Sequence, residues 1–138
     1  MSSSSGVILL VDDEPSLTQA LLFSLEAEGF ECLVATDVSE AMQVMRSRKV
    51  RALVTDIMMP GGQDYPEVDS SGAGFHLIEL VRSAWREIPI VCLSVIGDQK
   101  KINSLTRQGI RYLRKGETPL STAVEVVKAV VTGRRIQL

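Results

Sequence analysis

Aromatic residues are scarce in this sequence, and long hydrophobic runs are missing. Phe, Trp and Tyr make up 4% of the 138 residues, while hydrophobic residues together supply 45%. We therefore expect a core built from Val, Leu, Ile, Ala and Met. No apolar stretch approaches the roughly 20 residues that a membrane-spanning helix needs, which argues against a membrane protein.

Net charge and cysteine content are also low, and each limits the function. The formal net charge is −2, so the chain lacks the basic surface that attracts the nucleic-acid backbone, and we expect no direct nucleic-acid binding. The N-terminus has no basic segment of the kind that begins a signal peptide. Without such a signal, Cys32 and Cys92 are expected to be reduced and buried in a cytoplasmic protein.

Short apolar runs alternate with helical patterns along nearly the whole chain. A continuous run such as 7–11 is typical of a strand covered on both faces. Residues 7–133 would form one domain between a flexible lead over 1–6 and a tail over 134–138. The five predicted strands are 7–11, 31–35, 52–56, 89–94 and 110–113. The five predicted helices are 15–28, 39–48, 74–86, 99–108 and 119–132, with Ser39 as the N-cap of the second.

Five strands alternating with five helices predict an α/β fold, a doubly wound, five-stranded parallel sheet with helices on both faces. Two strand orders fit this alternation, a Rossmann-like order and the flavodoxin-like order 2-1-3-4-5. Both place ligands beyond the carboxyl ends of the strands, at the switch point between the first and third. In the order 2-1-3-4-5, Cys32 and Cys92 would be about 14 Å apart, too far for a disulfide.

Polar residues stand at the ends of four predicted strands. Asp12 and Asp13 follow the first strand, Asp56 ends the third, Ser94 ends the fourth and Lys115 comes after the fifth. Because the carboxyl ends of parallel strands lie at one edge of a sheet, we expect these side chains to lie close together. Clustered carboxylates repel one another, and Mg²⁺ removes that cost while it also binds phosphate oxygens. The cluster therefore predicts a site for phosphoryl transfer.

Four motifs in this order resemble the receiver domain of two-component response regulators. They are Leu-Val-Asp-Asp-Glu at 10–14, Val-Thr-Asp-Ile-Met-Met-Pro at 54–60, Val-Cys-Leu-Ser at 91–94 and Gly-Ile-Arg-Tyr-Leu-Arg-Lys at 109–115. Any one of them is a weak signal. Together, each at a predicted strand end, they cover the chain from about residue 6 to residue 133.

The resemblance implies a role for each residue of the cluster. Asp56 would accept a phosphoryl group from a histidine kinase. Asp12, Asp13, Asp56 and the backbone carbonyl of Met58 would hold Mg²⁺, with Asp12 acting through water. Ser94 would bond a phosphoryl oxygen after transfer, and Lys115 would pair with it.

The resemblance also implies how the signal leaves the domain. Tyr112 matches an aromatic residue that turns inward when Ser94 moves, so the output surface would comprise the fourth helix, fifth strand and fifth helix. A downstream protein would bind there. Separately, the apolar stripe of the fifth helix could support a homodimer on activation. The domain would assist its own phosphotransfer and dephosphorylation without being a turnover enzyme.

The sequence departs from the family pattern in three places. The loop over 60–74 is roughly ten residues longer than usual, and it would be either a solvated excursion or a lid or partner-recognition loop beside Asp56. Gly116 stands where Pro is common after the lysine, and glycine can supply an unusual turn there. Val95 stands where a small residue is usual, and it would shield the phosphoryl group from phosphodonor and water.

Other functions fit the sequence less well. A degenerate receiver that serves only as a docking module is the main alternative, since Gly116 and the long loop are atypical. A phosphatase with an aspartyl nucleophile would have one residue between its first two acids, whereas Asp12 and Asp13 are adjacent. A flavodoxin-like nucleotide binder would carry a loop rich in Ser, Thr and Gly after its first strand.

Overall fold

The computed structural model describes residues 6–95 and 98–133. The predicted tail over 134–138 and all of the predicted lead except Gly6 lie outside the described residues. Within the described part, the chain forms the elements β1 (Val7–Val11), α1 (Pro15–Ala27), β2 (Cys32–Ala35), α2 (Val38–Ser47), β3 (Val50–Thr55), α3 (Ala73–Ala84), β4 (Ile90–Ser94), α4 (Gln99–Arg107), β5 (Arg111–Arg114) and α5 (Leu120–Thr132).

All strand pairs are parallel, and the sheet has the order β2-β1-β3-β4-β5. The predicted α/β class and the flavodoxin-like order are therefore confirmed, and the Rossmann-like order is wrong. Cys32 and Cys92 are both buried and free, as the separation of their strands requires. Burial raises the pKa of each thiol to about 12.

The core has two parts, one on each face of the sheet. Leu9 belongs to the part that contains side chains of α2 and α3, whereas Ile8 and Leu10 belong to the part that contains side chains of α1 and α5. All five residues of β1 are buried, because a central strand of a doubly wound sheet is covered on both sides. The core is almost wholly aliphatic, as the composition predicts.

Helix α2 corrects one expectation, because its N-cap is Asp37 and not Ser39. The Asp37 carboxylate accepts a hydrogen bond from the backbone N–H of Glu40 at 2.8 Å. The Glu40 side chain in turn accepts one from the backbone N–H of Thr36 at 2.8 Å. Ser39 lies in the first turn, where its hydroxyl bonds to the long loop instead. The other predicted element ends coincide with the observed ones or differ from them by one or two residues.

The long loop packs partly against the domain, while more than half of its residues are exposed. Tyr65 and Val68 lie against the core, and the Tyr65 ring meets the His76 ring edge-on at 5.5 Å. We call residues 61–72 the insert. Beyond it, Gly74 approaches the backbone of the strand end so closely that an added Cβ would overlap the Asp56 carbonyl oxygen.

Candidate functional site

The parallel register of β1 and β3 brings the first two acids of the site together. Val11 lies opposite Thr55, so the next residue of each strand, Asp12 or Asp56, leaves the sheet at the same edge. The backbone N–H of Asp56 donates to the Val11 carbonyl at 2.9 Å. Both aspartates are 5% exposed, so their carboxylates lie at the bottom of the edge and not on the open surface.

Lys115 joins these two carboxylates. Its Nζ lies 2.7 Å from Oδ2 of Asp12 and 2.8 Å from Oδ2 of Asp56. Its backbone N–H donates to the carbonyl of Ser94 at 2.9 Å, which holds the end of β5 beside the end of β4. Gly116 follows in the left-handed region with φ of +83°. The turn therefore uses the conformational freedom of glycine at the position where the family pattern has proline.

Asp13 completes a group of three carboxylates. Oxygen atoms of Asp12, Asp13 and Asp56 lie within 4.8 Å of one another, and Asp13 is the exposed member. Hard oxygen ligands at this spacing suit Mg²⁺, which takes few carboxylates and keeps several waters. Met58 follows in the same turn, is 45% exposed and lines the cavity above Asp56. The residues present therefore fit the ion that the sequence predicts.

The buried charges shift the ionisation of the site. Burial raises the pKa of Asp12 above its ordinary value of 3.8, although hydrogen bonds from Lys115 and from the backbone of Glu14 act to lower it. Burial acts to lower the pKa of Lys115, but its bonds to Asp12 and Asp56 outweigh that effect and raise it. Without a metal ion, the ammonium is thus the charge that makes two buried carboxylates tolerable.

Ser94 is a buried polar residue at the end of β4. It is fully buried at 0% exposure, and its Oγ has no hydrogen-bond partner within the described residues. Buried hydroxyls rarely lack a partner, and those that do often belong to functional sites. Tyr112 is partly buried and donates a hydrogen bond to the Ser94 carbonyl at 3.3 Å, so the two residues of the predicted switch are in contact.

A cavity of about 440 Å³ opens above Asp56. Val95 lines its wall and is 53% exposed. Ser70, from the insert, lines it as well and was not anticipated from sequence, because nothing local marks a serine in a loop without periodicity. His76 lies beside Tyr65 and is not among the residues that line the cavity. The full lining is Asp13, Glu14, Asp56, Met58, Met59, Pro60, Ser70, Val95 and Lys115.

The family model of the response regulator receiver domain matches residues 8–125. This chain belongs to that family. Receiver domains are phosphoacceptor switch domains, so the chemistry predicted for the strand ends is that of the family.

Curated relatives show what kinds of protein contain such a domain. The phosphate regulon transcriptional regulatory protein PhoB of Pseudomonas aeruginosa is 33% identical over 118 residues, which are 81% of this chain and 46% of that protein. A putative NtrX-like response regulator of Rickettsia conorii is 27% identical over 109 residues, which are 78% of this chain. The chain spans about a fifth of that relative's length, 21%. An uncharacterized 14.6 kDa protein of Leptolyngbya boryana is 33% identical, with 82% of this chain and 81% of that protein covered.

Solved structures share the fold of this receiver domain. A CheY-like receiver domain protein from Methanospirillum hungatei superposes with a TM-score of 0.76 at 18% identity, covering 91% of this chain and 93% of that one. A two-component response regulator from Clostridium difficile gives a TM-score of 0.72 at 28% identity, covering 91% and 94%. Among the described residues, no helix is long and apolar enough to cross a bilayer.

Proposed function

We propose that this receiver domain is a phosphorylation-dependent signalling switch that accepts a phosphoryl group on Asp56 in a Mg²⁺-dependent reaction. One observation carries the proposal. The Asp56 carboxylate lies at the bottom of an open cavity, 2.8 Å from the ammonium of Lys115 and grouped with the carboxylates of Asp12 and Asp13. A docking module without phosphorylation would have no use for three grouped carboxylates, since their mutual repulsion costs stability.

The transfer is a substitution at phosphorus. A carboxylate oxygen of Asp56 attacks the phosphorus of a phosphohistidine on the donor. The P–N bond breaks, its electron pair returns to the imidazole, and an acyl phosphate remains on Asp56. When bound at Asp12, Asp13, Asp56 and the Met58 carbonyl, Mg²⁺ supplies charge neutralisation for the phosphoryl oxygens. Lys115, whose Nζ lies 2.8 Å from Oδ2 of Asp56, contributes further positive charge.

Ser94 and Tyr112 would report the change to the surface. The unpartnered Ser94 hydroxyl has a phosphoryl oxygen to bond once Asp56 is modified. The Ser94 carbonyl accepts a hydrogen bond from the Tyr112 hydroxyl. A shift of Ser94 therefore moves this carbonyl, and the Tyr112 ring on β5 moves with it. The surface formed by α4, β5 and α5 would thereby change its shape for a downstream partner or a second copy of the chain.

The partners follow from the same reasoning. The phosphodonor would be a sensor histidine kinase or a phosphotransfer protein in the cytoplasm. This domain would not contact nucleic acid itself, because its net charge of −2 gives no attraction for a phosphate backbone. The domain assists its own phosphotransfer and dephosphorylation, but it is consumed as a substrate and is not a turnover enzyme.

Phosphotransfer with a small donor tests the proposal. Wild-type protein is incubated with acetyl phosphate and Mg²⁺, and its intact mass is measured over time. We expect the mass to rise by one phosphoryl group, Asp56→Asn to show no increase, and the matched Asp64→Asn change in the exposed insert to behave as wild type. Chelation of Mg²⁺ should stop the reaction. A wild-type chain that gains no mass with acetyl phosphate or a kinase supports the docking alternative instead.

A further inference from the structure

Ser39 is a buried serine outside the site that holds the insert in place. It is 6% exposed in the first turn of α2. Its hydroxyl donates to the carbonyl of Gly61 at 3.3 Å and accepts from the backbone N–H of Asp64 at 2.7 Å. Its own backbone N–H also donates to the Gly61 carbonyl, at 3.0 Å. One residue thus fixes the insert at two points that are three residues apart.

The first of these points, Gly61, closely follows the segment that contains the predicted Mg²⁺ ligands Asp56 and Met58. Pro60 precedes Gly61, and its carbonyl accepts the backbone N–H of Val38 at 3.3 Å. The backbone N–H of Met59 donates to the carbonyl of Ser70 at 2.9 Å, which returns the insert to the cavity wall. Three residues, Asp56, Ile57 and Met58, separate this fixed segment from the end of β3.

The other side of Met58 is fixed as well. The carbonyl of Ile57 accepts the backbone N–H of Gly74 at 2.9 Å. The direction of the Met58 carbonyl is therefore set by two anchors, Gly74 on one side and the segment 59–61 on the other. The second anchor depends on α2, because two of the N–H groups that begin this helix bond to carbonyls of Pro60 and Gly61.

We propose that Ser39 is a positioning residue for the phosphorylation site, which sets Mg²⁺ affinity by holding segment 59–61 and with it the Met58 carbonyl. The inference rests on the proposed function of that site. Loss of the Ser39 hydroxyl leaves the Asp64 N–H without its partner and the Gly61 carbonyl with one donor instead of two. The insert then keeps only its backbone bonds to α2, so segment 59–61 holds the Met58 carbonyl less firmly.

Mg²⁺ affinity measures this effect directly. Mg²⁺ is titrated into wild-type, Ser39→Ala and Ser47→Ala proteins, and binding is followed by NMR shifts of backbone amides. Ser47 is the matched control because it lies on the same helix and its hydroxyl bonds to Gln43 within the helix. We expect Ser39→Ala to weaken Mg²⁺ binding about tenfold, the low end of the range for residues that support a metal ligand. Ser47→Ala should bind as wild type.

A pair of glycine variants tests the same contact from the opposite side and keeps Ser39 intact. A Cβ added at Gly61 would overlap the Tyr65 carbonyl oxygen, so Gly61→Ala must displace the insert. A Cβ at Gly72 meets nothing closer than the Phe75 ring at 3.7 Å, so Gly72→Ala is the control. We expect Gly61→Ala to weaken Mg²⁺ binding as Ser39→Ala does, and hydrogen exchange at Met59 and Asp64 to quicken in both.

The outcomes separate the possibilities. If Ser39→Ala and Gly61→Ala lower thermal stability but bind Mg²⁺ as tightly as wild type, Ser39 is merely structural and the proposal is wrong. If Ser39→Ala does not fold, the comparison of Gly61→Ala with its control Gly72→Ala tests the proposal, and equal Mg²⁺ affinities in these two variants would show that it is wrong. A wild-type chain that binds no Mg²⁺ and takes no phosphoryl group contradicts the proposed function itself, and this inference falls with it.

Discussion

Replacement of Lys115 by Met should destabilise the metal-free domain strongly. The ammonium lies 2.7 Å and 2.8 Å from oxygens of two aspartates whose side chains are only 6% and 7% exposed, and the lysine side chain itself is 15% exposed. Removing one partner from a buried ion pair leaves a charge without compensation, which costs about 3–5 kcal/mol. Asp12 can relieve part of this cost by taking up a proton, because burial already raises its pKa. We therefore expect a loss of about 3 kcal/mol in the free energy of unfolding at neutral pH.

Urea unfolding followed by the fluorescence of Trp85, the single tryptophan, provides the measurement. Saturating Mg²⁺ should narrow the difference between Lys115→Met and wild type, because the ion replaces the missing positive charge and stabilises the folded state to which it binds. Lys128→Met is the control, since that lysine joins Glu28 and Glu125 at the surface, and its loss should be much smaller. A difference below about 1 kcal/mol for Lys115→Met, or one that Mg²⁺ leaves unchanged, would refute the assignment of Lys115 as the compensating charge.

Three further predictions follow from the same geometry. Gly74→Ala should cost at least about 1–3 kcal/mol in unfolding experiments and should slow phosphorylation of Asp56, since the new Cβ overlaps that residue's carbonyl; Gly72→Ala, with open space, should do neither. Burial raises the folded-state pKa of Asp12 above 3.8, so the folded form holds that proton more tightly, and the contribution of Asp12 to wild-type stability falls as the pH rises from 3.8 to the raised value. Asp12→Asn removes this pH dependence, so the urea midpoint of the variant relative to that of wild type should increase with pH across that window. A difference between the two midpoints that stays constant with pH would contradict the burial argument. Val95→Ala should speed both phosphorylation by acetyl phosphate and loss of the phosphoryl group about fivefold, equivalent to about 1 kcal/mol in each barrier, and unchanged rates in the mass assay would show that Val95 shields nothing.

The strand ends could be predicted from the sequence because buried strands appear in it as continuous apolar runs. Runs such as 7–11 are continuous and apolar since helices cover both faces of the sheet, and each run stops where a polar residue stands at the carboxyl edge of the sheet. Asp12, Asp56 and Lys115 stand at those stops. The parallel topology then brings them together with no further information.

The cap of α2 was misassigned although the sequence contained the signal. Asp37 is followed three residues later by Glu40, an arrangement typical of a helix start. Ser39 is also a good capping residue by type, and its side chain is used elsewhere. Local preference alone could not choose between the two, because the competing partner, Gly61, is 22 residues away.

The insert could not be predicted beyond its existence. Its positions lack periodicity, so the sequence does not indicate that Tyr65 and Val68 pack on the core or that Ser70 returns to the cavity. These placements depend on contacts with α2 and α3 that form only when the domain is folded. The same holds for Ser94, whose unpartnered hydroxyl is a property of the folded environment.

The proposed function depends most on a single cation site shared by acids from two separate segments. Titration with paramagnetic Mn²⁺ in place of Mg²⁺, followed by NMR of the backbone amides, tests this most directly. The first signals to broaden should be those of residues 12–14 and 56–59, and Asp13→Asn should weaken the effect while Asp64→Asn should not. Early broadening at the acidic residues of the insert, with residues 12–14 and 56–59 unaffected, would contradict the account.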